Sequence, residues 1–189
     1  MGLFDVLSGK RKLKQPAPDR LFAMSTAYVT LQTELELQSR GVAGIVFQAL
    51  ETHDFIEILR DMEEVVRSSA ADTGGKVESA EDSFGYRWMI LRDEDFDDLV
   101  VGVNAVGTEI QAGGYGDRVL ASVFAFEDAQ KRPVYFIYNY KRGAFYPFVP
   151  AGDKTRDNER ELRLKAQLSQ EMPFEPELER WFPLWDIPI

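Results

Sequence analysis

The run VYFIYNYKRGAFYPFVP, Val134 to Pro150, constrains this chain more than any other stretch. Val134, Phe136 and Tyr138 alternate with Tyr135, Ile137 and Asn139, so both sides of an extended segment are apolar or aromatic. That pattern predicts a β-strand covered on both faces, and hence a central place in a sheet. Lys141-Arg142-Gly143 supplies the reversal, with Gly143 free to take a left-handed backbone. Phe145, Tyr146 and Phe148 carry the apolar run onward, and Pro147 and Pro150 are expected to end it, because proline donates nothing to a ladder.

The remaining elements are read around this spine. Asp19 caps a brief helix through Met24. From Tyr28 to Leu37, Val29, Leu31, Thr33, Leu35 and Leu37 alternate with polar residues, which predicts a half-buried strand. Ser39-Arg40-Gly41 turns the chain into a second strand, Val42 to Leu50. Phe55, Ile58, Leu59, Met62, Val65 and Val66 recur at helical spacing and define the buried side of a helix. Phe84 to Leu91 is a third strand, preceded by a polar Ser79 to Asp82. A second helix begins near Glu94, with Phe96, Leu99, Val100, Val103, Val106 and Ile110 inward. Val119 to Phe126 is a strand, and a third helix runs near Asn158 to Gln170, capped by Asp157 or Asn158.

The order β-β-α-β-α-β-β-β predicts an α+β fold, a two-layer sandwich with a mainly antiparallel sheet and helices packed on one face. Residues 21–172 form that single domain, residues 15–20 a proline-bearing linker, and residues 173–189 an extended, proline-rich aromatic tail docked on the domain.

Charge is uneven. The net charge is −10, and residues 51–100 alone hold 15 acids and 5 bases. An acidic body disfavours nucleic acid, whose phosphates require Lys and Arg. Residues 1–14 are the exception: Leu3, Phe4, Val6 and Leu7 precede Lys10, Arg11, Lys12 and Lys14. An apolar helical face beside cations suits either an anionic membrane surface or a partner helix. A terminal helix packed on its own domain has the same signature.

Chemistry is harder to find. There is no cysteine, and His53 is the one histidine, so thiol catalysis and multi-histidine metal sites are excluded. The acids Asp93, Glu94, Asp95, Asp97 and Asp98 sit where a helix begins, and its dipole explains them without a cation. Gly113-Gly114-Tyr115-Gly116 follows a helix, whereas phosphate loops precede one. No cofactor is expected. Lys141 and Arg142, among aromatics at a hairpin tip, and Trp181 and Trp185 in the tail are candidate surface contacts. No run approaches the roughly 20 apolar residues of a membrane-spanning helix, which points to the cytoplasm.

Five motifs in order, MGLFDVLSGKRKL with DRLF, SFGYRWMILR, YNYKRGAFYPFVP, RDNERELRL and RWFPLW, resemble the PspA-associated protein PspAB family, linked to the phage-shock envelope-stress system. The resemblance runs from Met1 to Trp185. It implies a non-enzymatic accessory protein whose partner is PspA, a coiled-coil protein that protects stressed membranes, and a place in the cytoplasm or on the inner face of the membrane. It transfers no catalytic residue. A different class of function, small-molecule binding or hydrolysis, would need a cavity between sheet and helices.

Overall fold

The computed structural model describes residues 20–189, except for the side chains of residues 69–73. Asp19 and the segment Leu3 to Lys14 lie outside the described residues. Four α-helices and eight strands follow in the order α1 (Ala23–Thr33), β1 (Gln38–Phe47), α2 (His53–Thr73), β2 (Lys76–Glu81), β3 (Arg87–Arg92), α3 (Phe96–Ile110), β4 (Val119–Glu127), β5 (Pro133–Asn139), β6 (Ala144–Phe148), β7 (Pro150–Gly152), β8 (Thr155–Arg156) and α4 (Asn158–Leu168). The fold is α+β. Strands β2-β3-β1-β4-β5-β6 make one six-stranded antiparallel sheet, and β7 and β8 make a small second one.

The first element differs from the expected strand. Residues 28–33 belong to helix α1, where Met24, Ala27 and Leu31 are buried. Both a two-residue and a helical spacing can be drawn through this sequence. The helical one wins because it puts Leu21, Met24, Ala27 and Leu31 on one side, leaving Val29 exposed. After the helix, Glu36 takes a left-handed conformation and the Leu37 amide returns to the Leu31 carbonyl at 2.8 Å. Ser39-Arg40-Gly41 is not a turn between strands. It is an irregularity inside β1, where the register against β4 shifts between Ser39 and Ala43 and Gly41 has φ 63°. The polar stretch before the third strand is itself a strand, β2, at the sheet's far edge.

Alternation then builds two apolar layers. Toward the helices point Ala43, Ile45, Phe47, Met89, Leu91, Phe124, Phe126, Val134, Phe136 and Tyr138, which pack on α1, α2 and α3. Their rings close the interior: Tyr28 stacks on Phe96 at 4.1 Å, and Phe126 lies 5.4 Å from Phe96 and 5.7 Å from Phe136. The opposite face carries Val42, Val46, Trp88, Ile90, Val123, Tyr135, Ile137, Tyr146 and Phe148. Trp181, Leu184, Trp185, Ile187 and Ile189 of the C-terminal segment cover it, so the sheet is clad on both sides.

The spine hairpin is therefore not central. β5 lies next to the edge and β6 is the edge. Its double-sided burial comes from helices on one face and the C-terminal segment on the other. Pro147 does not stop the strand. It pairs with Phe136 within β6, and an edge strand tolerates proline where the missing N–H would point away from the sheet.

Candidate functional site

The outer side of β6 shows how the C-terminal segment is held. Phe145 donates its amide to the Pro173 carbonyl and accepts the Glu175 amide, both at 2.8 Å. Two residues on, the Pro147 carbonyl faces Arg156. Two further on, the Val149 amide donates to Glu161 Oε1 at 2.8 Å. Each outward polar group of this edge thus finds a partner. Trp181 is buried, stacks on Tyr146, and donates its indole N–H to the Glu175 carbonyl at 3.0 Å. The Lys165 ammonium lies over its ring at 5.4 Å. Trp185 is half-buried and meets Phe148 edge-on at 5.0 Å. At the hairpin tip, Lys141 is exposed, whereas Arg142 reaches the buried carboxylate of Glu175 at 2.8 Å. The bonds from Arg142 and from the Glu177 amide hold that carboxyl below its usual range, against the opposing effect of burial.

A polar opening of about 420 Å³ lies where the β4–β5 turn meets the start of α4, lined by Asp128, Arg132, Asp157, Arg160 and Arg163 among others. Asp128 is buried and fully occupied: it bonds Arg132 Nε and Arg160 Nη1, each at 2.8 Å, and the amides of Gln130 and Arg132. Burial alone would raise its pKa, but these bonds prevail and lower it to about 2. Asp157 accepts from the Arg160 amide and so caps α4. The acids and arginines here neutralise one another.

A third feature is apolar. Helices α2 and α3 run antiparallel, and between the end of one and the start of the other lies an opening of about 140 Å³. Val65, Val66, Leu91, Leu99, Val101, Gly102 and Ala105 line it, with Lys76, Arg92, Asp93 and Asp98 at its margin. Val65 belongs to the face expected to be buried, yet it is 64% exposed, and Val101 is 54% exposed. Gly102 keeps the floor low, because a Cβ there would meet Leu91 Cδ2 at 2.4 Å. Asp98 is pushed up, first by partial burial and then by its neighbours Asp93, Asp95 and Asp97.

Comparison with known families decides what kind of chain carries these features. The family model for PspA associated protein B matches residues 1–189, the whole chain. The chain belongs to the PspA associated protein B family. Neither the curated proteins nor the solved structures hold a significant match to it.

In this PspA associated protein B chain the other candidates fall as follows. His53 is exposed at the first residue of α2, 3.4 Å from Glu57. Asp95 caps α3 through the Asp97 amide, and among the described residues no group of three acids or histidines is placed to hold a metal. Gly114, at φ 87°, sits in the wide turn that ends α3. No described helix is long and apolar enough to cross a membrane. Arg156, which opens the RDNERELRL motif, bonds Glu161, the Trp181 carbonyl and the Pro147 carbonyl, whereas the sequence alone singles out neither Asp128 nor Val101. Arg156 and Asp128 bind across turns of unpredictable length. Val101 had a legible signal, a large apolar residue on the outward side of an amphipathic helix.

Proposed function

We propose that the chain is a cytoplasmic accessory protein of the PspA envelope-stress (phage-shock) system that acts by binding and not by catalysis. Its docking element is Leu3, Phe4, Val6 and Leu7 with Lys10, Arg11, Lys12 and Lys14, and its partner is a PspA-like coiled-coil protein at the inner face of the membrane. The observation that carries this is the family match over the whole chain. The buried carboxylates support it. Asp128, Glu161 and Glu175 are each bonded to arginine and to backbone amides, an arrangement that holds structure together. A short amphipathic segment binds a membrane weakly by itself, so stable attachment needs the second contact that a partner gives.

The test is flotation with anionic vesicles, with and without the PspA protein from the same source. Wild-type chain is compared with a variant carrying Phe4→Asp and Leu7→Asp. The expected result is that the wild type floats, most strongly with PspA, and the variant stays in the load. Equal recovery of the two would remove the docking element, and failure of the wild type to float in either condition would remove the accessory reading.

A further inference from the structure

The two edges of the large sheet are finished differently. On β6 the outward polar groups have partners, but β2, at the far edge, pairs with β3 alone. The Asp82 amide bonds the Tyr86 carbonyl at 3.0 Å, so the even-numbered residues of β2 turn their backbone toward β3. Val77, Ser79 and Glu81 therefore aim their N–H and C=O groups outward, and no described residue bonds them. Helix α2 covers only part of this edge. Near its start Phe55 packs on Phe47 of β1, ring centres 6.3 Å apart, and toward its end Val66 lies beside Lys76. That oblique course leaves Ser79 and Glu81 exposed. In the turn after β2, Asp82 accepts the amides of Phe84 and Tyr86 and the Trp88 indole N–H, and the loop so fixed holds Phe84 73% exposed.

We propose that β2 pairs antiparallel with β2 of a second copy of this chain, about a two-fold axis at Ser79. Charge selects the register. Outward residues must face outward residues, so the axis falls on one residue and not between two. Centred on Glu78 or Glu81, two like carboxylates would meet, and centred on Ala80 each Glu78 would face Asp82. Centred on Val77, the α2 ends that lie by Lys76 would be set against each other. Centred on Ser79, no like charges are opposed: Ser79 faces Ser79, Val77 faces Glu81, Glu78 faces Ala80, and exposed Lys76 faces Asp82 on both sides of the axis. Lys76 has no ion pair of its own among the described residues. The end of each α2 then lies across from the exposed Glu81 of the other copy. The same register carries Phe84 to the Gly74-Gly75 turn of the second copy, where a Cβ on Gly74 would meet nothing within 4 Å. Ser79 with Ser79, and each Val77 with Glu81, exchange about six hydrogen bonds in all. One strand pair of this length makes a small interface, so the dimer is weak and forms at high chain concentration.

The test is sedimentation of the full-length chain alone, from micromolar concentration to about 1 mM, with hydrogen exchange read at both ends of the range. The expected result is a monomer–dimer equilibrium in which the amides of Val77, Ser79 and Glu81 exchange more slowly as concentration rises. Those of Glu78 and Ala80, which already bond β3, should change little. Ser79→Pro removes an outward N–H at the axis without touching a bond to β3, and should abolish the dimer. Lys76→Glu and Phe84→Ala alter exposed side chains, and each should weaken the dimer about tenfold. Retained amide dispersion shows that Ser79→Pro is folded; if it is not, Lys76→Glu decides. A chain still monomeric at about 1 mM overturns the proposal and leaves the edge to a strand of another protein. A dimer that survives these changes, or exchange at the three outward amides that ignores concentration, overturns it as well. Neither PspA nor a vesicle enters the readout, so this inference and the accessory reading can fail separately.

Discussion

Arg156 and Glu161 form a buried ion pair at 2.8 Å that closes the open edge of the sheet. Glu161 is 1% exposed, and besides the guanidinium it accepts the Val149 amide. Arg156 in turn donates to the carbonyls of Trp181 and Pro147 and lies 5.4 Å over the Phe148 ring. Two residues five positions apart thus join the edge strand, α4 and the C-terminal segment.

Arg156→Ala is therefore expected to cost about 3–5 kcal/mol in urea unfolding at neutral pH, since it strands a buried carboxylate. Burial already pushes the Glu161 carboxyl up, and losing the arginine pushes it further. A carboxyl whose folded pKa lies above its unfolded value is tolerated below the unfolded value and penalised as pH rises through the folded one. The deficit of the variant should consequently shrink at acid pH. Replacing both partners, Arg156→Met with Glu161→Met, should recover part of it, because an apolar pair leaves no uncompensated charge.

Asp128 gives the opposite pH signature. Its pKa falls from 3.8 to about 2 in the folded chain. The sign follows: a depressed carboxyl stabilises fully above the unfolded value and loses that contribution as pH drops toward the folded one. Asp128→Asn should cost about 2 kcal/mol at pH 7, within the usual range for losing bonds to a charged group. The difference between wild type and variant should fade between about pH 4 and pH 2. Thermal melts across that window measure it, and a constant difference would refute the assignment.

Local periodicity and long-range packing encode different parts of this fold. Helix α3 was legible residue by residue, since Phe96, Leu99, Val100, Val103, Val106 and Ile110 are all buried. So was the pairing of the spine strands, with Tyr138 opposite Phe145 and Tyr135 opposite Phe148. Periodicity alone encodes both. Helix α1 was misread because two periods coexist in its residues, and only packing chooses between them. β2 was missed because an edge strand needs few apolar residues; Val77 is its one buried side chain. The edge position of β6 was invisible because its second cover arrives about 30 residues later. The α2–α3 groove needed both helices in place, so neither helix alone announced it.

The last expectation concerns the C-terminal cover. Trp181 and Phe182 are neighbours with opposite environments: Trp181 is buried against Tyr146 under Lys165, whereas Phe182 is 58% exposed. Only the carbonyl of Phe182 is engaged, by the Tyr146 hydroxyl at 3.0 Å, and that bond survives a change of side chain. Trp181→Ala should cost about 3–5 kcal/mol, the range for deleting a buried aromatic, whereas Phe182→Ala should lie within about 0.5 kcal/mol of wild type. The two changes also separate by location. The amides of Phe145 and Glu175 bond across the β6 edge only while the cover is seated. Trp181→Ala should speed hydrogen exchange at both amides well before it affects Phe124 in the sheet centre, because local opening requires less free energy than global unfolding. Equal acceleration at all three sites would mean that the cover unfolds only with the whole domain.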